Sequence, residues 1–110
     1  LSDISAQAKV LAGKAREGKC SPDEMSGGSF TVSNLGSMGV ESFTPVINPP
    51  QTAILGVCCT TNRLKADGKV YPAMGLSLTF DHRAVDGAPA AKFLKELCTA
   101  LENFDLLLAK

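Results

Sequence analysis

Between Thr52 and Thr60 the chain reads Thr-Ala-Ile-Leu-Gly-Val-Cys-Cys-Thr, an apolar run introduced by Pro49-Pro50 and lacking the polar alternation of a half-exposed strand. Such a run is read as a buried strand, which must be covered on both faces. The residues after it supply the first neighbour. Asp67-Gly68 is a hairpin-type turn, a strand is expected from about Lys69, and Ala73 to Phe80 reads as the strand leading to His82. Ser29 to Asn34, with Phe, Thr and Val, is a further strand before the glycine-bearing Gly36-Ser37-Met38-Gly39 loop, and Thr44 to Ile47 is another short one.

Helical spacing flanks this β-rich middle. Ile4, Ala8, Leu11 and Ala15 recur every three or four residues within Leu1 to Lys19, the period of one face of an amphipathic helix. Ser21-Pro22-Asp23-Glu24 matches a capping box with proline at the first helical position, which predicts one short turn of helix. From Gly87 to about Leu101 the positions Ala91, Phe93, Leu94, Leu97, Ala100 and Leu101 again share a helix face. The Leu106-Leu107-Leu108 tail is expected to pack on a neighbouring element or subunit. Helices and strands in this order are compatible with an α/β fold.

Charge removes some partner classes. Eleven basic and eleven acidic residues leave no net field to attract nucleic acid or an anionic membrane, and 45% hydrophobic residues in a chain of 110 suit one globular unit. No apolar run is long enough for a transmembrane helix, and the opening Leu-Ser-Asp-Ile-Ser-Ala-Gln lacks the pattern of a signal peptide, so a soluble intracellular protein is expected. Cys20, Cys58, Cys59 and Cys98 contain no Cys-x-x-Cys pair and there is a single histidine, so no metal site is expected. On a strand, Cys58 and Cys59 point to opposite faces and cannot serve one site together.

The chemistry-bearing segment is Asp81-His82-Arg83-Ala84-Val85-Asp86-Gly87. His82 is the candidate general base, because imidazole ordinarily titrates near neutrality. Asp86, four residues on, could orient the ring or anchor the loop, or simply cap the following helix.

This segment, following Leu-Ser-Leu-Thr-Phe, resembles the active-site motif of dihydrolipoamide acyltransferases, the E2 components of 2-oxo acid dehydrogenase complexes. The resemblance continues in Gly27-Gly28-Ser29-Phe30-Thr31-Val32-Ser33-Asn34-Leu35-Gly36 and in Ile47-Asn48-Pro49-Pro50-Gln51-Thr52-Ala53-Ile54-Leu55-Gly56-Val57, in the family's order. It implies a chloramphenicol acetyltransferase-like α/β sandwich. Residues 1–110 would form the C-terminal half of its catalytic domain, with no lipoyl or peripheral-subunit-binding domain among them.

The implied reaction moves an acyl group, with acetyl preferred here, between a lipoyl group carried on a separate domain and coenzyme A. A free thiol has a pKa of about 8.5 and attacks as the thiolate, so a base is required, and the resemblance gives His82 that role. Ser33 matches the hydroxyl that stabilises the tetrahedral oxyanion. The family places that hydroxyl and the histidine of one site on adjacent subunits. Asp86 is assigned to holding the active-site loop through a charge pair, with Arg83 as a possible partner, and Asn48 with the proline pair to shaping the channel wall. The Gly36-x-x-Gly39 loop could offer backbone donors to a coenzyme A phosphate.

Implied partners are a homotrimer within a cubic or dodecahedral core, the E1 and E3 components and the lipoyl domain, in the cytoplasm or, in a eukaryote, the mitochondrial matrix. The alternatives are another coenzyme A-dependent acyltransferase of this fold, or a noncatalytic assembly core. Asp81, where a condensation-domain motif would have its first histidine, argues against that relative.

Overall fold

The computed structural model describes residues 1–109. The elements, in chain order, are α1 (Ser2–Glu17), β1 (Thr31–Asn34), a 3-10 turn (Gly36–Met38), β2 (Ala53–Leu64), β3 (Val70–Phe80), α2 (Gly87–Glu102) and α3 (Phe104–Leu108). The strands form one mixed sheet in the order β1-β2-β3. β1 runs parallel to β2, with Ser33 opposite Gly56, and β3 runs antiparallel to β2, from the pair Ala53–Phe80 to the pair Leu64–Val70.

The apolar run becomes the central strand, and it extends past Thr60 to Leu64. Its inner half is buried at Ile54, Leu55 and Cys58, whereas Asn62 to Leu64 are exposed. Hydrogen bonding to β3 holds this outer half, so apolarity alone could not reveal it. The turn closes as the Asp67-Gly68 pair requires. Gly68 takes φ 84° and donates its N–H to the Lys65 carbonyl, and Lys65 N–H in turn donates to the Lys69 carbonyl at 2.8 Å. Pro72 does not break β3, because that strand lies at the sheet's edge in this chain, where a missing N–H is tolerated.

Each face of the sheet has its own cover. α2 lies over the face bearing Ala53, Leu78 and Phe80, and Ala90 and Phe93 help to line an apolar cavity of about 290 Å³ between them. On the other face, the segment after the 3-10 turn crosses so closely that a Cβ on Gly56 would stand 2.8 Å from the Phe43 ring. Thr44 to Ile47 lies in that covering segment and is not the strand that its composition suggested. Pro45 is buried there without an N–H to offer a ladder, and the segment's tie to β2 is a single bond from Cys59 N–H to the Val40 carbonyl.

α1 forms where the periodicity placed it and ends at Gly18, whose φ of 68° allows the chain to turn back. None of its residues is buried. The capping box also forms, with Glu24 N–H donating to Ser21 Oγ and Ser21 N–H donating to Glu24 Oε1. It closes a hydrogen-bonded turn with no helix behind it, since Ser26-Gly27-Gly28 follows at once and Gly27 takes φ 81°. Lys14 Nζ donates to Glu24 Oε2 at 3.0 Å and ties α1 to this turn. At the other end of the chain, α3 docks against α2 with Leu106, Leu107 and Leu108 all exposed.

Candidate active site

His82 stands just beyond β3, on the turn that leads into α2. The ladder continues one step past the strand, with Asp81 N–H donating to the Thr52 carbonyl at 2.7 Å, and the Asp81 carbonyl then accepts from Ala84 and Val85 N–H. The imidazole projects from this turn with 71% of its side chain exposed, and its ring centroid is 5.8 Å from that of Phe80. His82 Nδ1 lies 3.8 Å from Asp86 Oδ1, close enough for charge attraction but too long for a hydrogen bond. Nδ1 is turned toward Asp86, and Nε2 lies on the opposite side of the ring.

Asp86 occupies the N-cap position of α2, yet its carboxylate bonds to no N–H of that helix. Arg83 is not its partner. The guanidinium turns back to Asp81 instead, with Nη2 2.8 Å from Oδ2 and Nε 3.0 Å from Oδ1, while Arg83 N–H also donates to Asp81 Oδ1 at 2.9 Å. The physical reason is local, since the Asx turn at Asp81 folds the chain so that residue 83 comes back over the carboxylate. These bonds from Arg83 hold the Asp81 carboxyl down at about 2 and raise the guanidinium in return. The Asp-x-Arg spacing was the available signal for this pair, whereas the sequence reading weighed only Asp86 or solvent as partners of the arginine.

Ser33 lies half-buried in β1, on the face carrying Gly56 and Ser77 and overlaid by Phe43. The polar side chains near it are already committed. Thr31 Oγ1 donates to Gln51 Oε1, Gln51 Nε2 donates to the Gly28 carbonyl, and Asn34 Oδ1 accepts from Gly36 N–H. Gln51 thus ties β1 to the turn before β2, a role the sequence did not announce. That turn contains the Asn48 segment, where the Pro49-Pro50 peptide is cis and Gln51 N–H donates to the Asn48 carbonyl.

Register separates the two principal candidates. Ser33 is level with Gly56, whereas His82 lies beyond the level of Thr52 and two strands across. At about 3.3 Å per residue and 4.8 Å per strand, that distance is on the order of 15–20 Å. Base and hydroxyl of one chain therefore cannot act on the same carbonyl. Among the described residues no group of three His, Cys, Asp or Glu is placed to hold a metal, and Cys58 is buried while Cys59 is half-buried. Lys65-Ala66-Asp67-Gly68 is the hairpin turn, and no helix is long and apolar enough to cross a membrane.

The model of the 2-oxoacid dehydrogenases acyltransferase (catalytic domain) family matches residues 1–109. The chain belongs to this acyltransferase family. The acetyltransferase component of the acetoin cleaving system of Bacillus subtilis is 50% identical over 106 residues, which are 94% of this chain and 27% of that protein. The mitochondrial pyruvate dehydrogenase acetyltransferase component of Schizosaccharomyces pombe is 46% identical over 94% of this chain and 23% of its own length.

Solved acyltransferase structures agree. The dihydrolipoamide acetyltransferase of Azotobacter vinelandii superposes with a TM-score of 0.88 at 43% identity, over 96% of this chain and 45% of that one. The cubic core of a pyruvate dehydrogenase multienzyme complex gives a TM-score of 0.89 at 42% identity, with the same coverage. The chain thus spans about a quarter of the length of these curated relatives and under half of the solved chains.

Proposed function

We propose that this acyltransferase-family chain is the C-terminal half of an E2 catalytic domain with the chloramphenicol acetyltransferase-like sandwich fold, and that it transfers an acyl group, preferably acetyl, between dihydrolipoamide and coenzyme A. The observation that carries the reading is the motif turn itself, with an exposed imidazole at the end of β3 and Nδ1 facing Asp86. In the forward direction His82 Nε2 takes the proton of the coenzyme A thiol, and the thiolate attacks the thioester carbonyl of the acylated lipoyl group. Ser33 Oγ donates a hydrogen bond to the resulting oxyanion, a contribution of about 3 kcal/mol for a well-aimed donor. Collapse breaks the carbon–sulfur bond to the dihydrolipoyl thiol, which leaves with the proton held by His82.

The separation of Ser33 from His82 supports a site assembled from two subunits, hence a homotrimer built into a larger core that serves E1, E3 and a lipoyl domain. The names of the relatives favour acetyl as the acyl group. The mitochondrial relative fits a matrix location if this chain is eukaryotic, and a cytoplasmic one is proposed otherwise. In the Azotobacter enzyme a serine, a histidine and an asparagine four residues after the histidine were investigated for roles in catalysis. Asp86 has that spacing from His82. With a neutral asparagine at that spacing in the Azotobacter enzyme, the charge pair expected of Asp86 is not required, and Asp86→Asn should retain most activity.

The test is acetyl transfer from acetyl-coenzyme A to dihydrolipoamide by the full-length protein and by His82→Ala and Ser33→Ala variants of equal assembly. His82→Ala should lose about 10²- to 10⁴-fold in kcat, as loss of a positioned base does. A well-assembled parent that turns over no acyl group would establish a noncatalytic core instead.

A further inference from the structure

The motif aspartate that faces His82 leaves it nearly free, whereas the residue immediately before it is tied down on every side. Asp81 N–H donates to the Thr52 carbonyl just before β2, its carbonyl accepts from Ala84 and Val85, and its carboxylate accepts from Arg83 N–H, Nε and Nη2. Asp81 keeps only 25% of its side chain exposed, against 84% for Asp86. We propose that Asp81 is the positioning residue of this site: its carboxylate locks the Asx turn that carries His82 and so sets the direction of the imidazole.

This inference rests on His82 being the general base. An exposed imidazole gets its aim from the backbone beneath it, and the 3.8 Å approach of Asp86 is too loose to supply it. The lock has two parts that can be removed separately. The bond from Arg83 N–H shapes the turn, and the guanidinium grips the carboxylate from outside. Arg83 has 91% of its side chain exposed, so its guanidinium can be removed without opening the core.

The experiment measures kcat and KM for coenzyme A in the full-length protein carrying Asp81→Ala, Asp81→Asn, Arg83→Ala or, as reference, His82→Ala, with assembly checked by mass. A base misaligned by an ångström loses up to about 100-fold, so Asp81→Ala should lower kcat at least about tenfold with KM within about twofold of the parent. Asp81→Asn keeps an acceptor for Arg83 N–H but loses the ion pair, so its kcat should recover only to about a third of the parent's, and Arg83→Ala, which removes the same ion pair, should match it.

Parent-like kcat in Asp81→Ala, a loss that falls on KM, or Asp81→Asn no better than Asp81→Ala would overturn the proposal. If Asp81→Ala does not assemble, the other two variants decide: both lowered about threefold in kcat supports it, and both at parent kcat refutes it. A His82→Ala variant that keeps full turnover would bring down the base assignment and this inference together. With His82→Ala inactive and Asp81→Ala fully active, only the positioning role fails.

Discussion

α1 and β2 are both apolar along one side or more, but they end in opposite environments. β2 is covered by α2 on one face and by the Phe43 segment on the other, and it contributes Ile54, Leu55 and Cys58 to a core that also takes in Ala90 and Pro45. α1 buries nothing, and Ile4, Val10 and Leu11 all stay exposed. A helix can satisfy its own backbone hydrogen bonds and form without a neighbour, whereas a strand exists only through its partners. The contrast divides the molecule into a sheet whose inner β2 residues are covered within the chain, beside His82 and Ser33, and a helix whose apolar stripe fits the proposal that more protein lies against it.

The sharpest way to break this contrast is to truncate one leucine in each region. Leu55→Ala should cost about 2–5 kcal/mol, the usual range for a buried leucine, and show as a large fall in Tm. Leu11→Ala in the same 110-residue chain should cost no more than about 0.5 kcal/mol, as exposed substitutions do. Equal losses would mean that α1 has a partner within the chain. In the full-length protein the Leu11→Ala penalty should rise if the proposed other half of the domain covers α1.

Two glycines carry the contrast to a smaller effect of opposite sign. A Cβ on Gly36 would stand 2.8 Å from the Cys58 carbonyl oxygen, and main chain cannot swing away, so Gly36→Ala should destabilise by about 1–3 kcal/mol in urea unfolding. Gly13, within α1, has nothing within 4 Å of that position. Gly13→Ala should stabilise by about 0.5–1 kcal/mol, the ordinary helix preference.

The smallest expected effect is electrostatic. The carboxyl of Asp81, held at about 2 by Arg83, lies below its ordinary 3.8, so its contribution to stability is present above about pH 4 and is lost as the pH falls toward 2. Glu24 is lowered in the same sense by Lys14 and Ser21. Titration of the side-chain carboxyls by NMR in parent and Arg83→Ala protein checks this. Asp81 should rise toward its ordinary value in the variant, with the N–H of residue 83 still holding it below, and Glu24 should not move.

Much of this was legible because the signals were local. The hairpin at Asp67-Gly68, the helix from Gly87 and the period of α1 depend on residues a few positions apart, and each appears where its pattern placed it. Thr44 to Ile47 failed as a strand because pairing needs a partner, and the neighbouring strands were taken elsewhere. The capping box at Ser21 and Glu24 formed without its helix, because the glycines at 27 and 28 stopped propagation beyond one turn. His82, Asp86 and Ser33 were found by motif, but the pairing of Arg83 with Asp81 was not, since choosing between two nearby carboxylates depends on how the turn folds.

By itself the sequence determined the family, the order of helices and strands around one buried run, and the residues able to carry acyl-transfer chemistry, because motif and periodicity are properties of neighbouring positions. The tertiary structure alone decided by how much the strand register sets Ser33 and His82 apart, which segment covers each face of β2, and that α1 is left uncovered. Each of those depends on strand register or on contacts across the sheet, which are set when distant segments pack together and are written in no single stretch of residues.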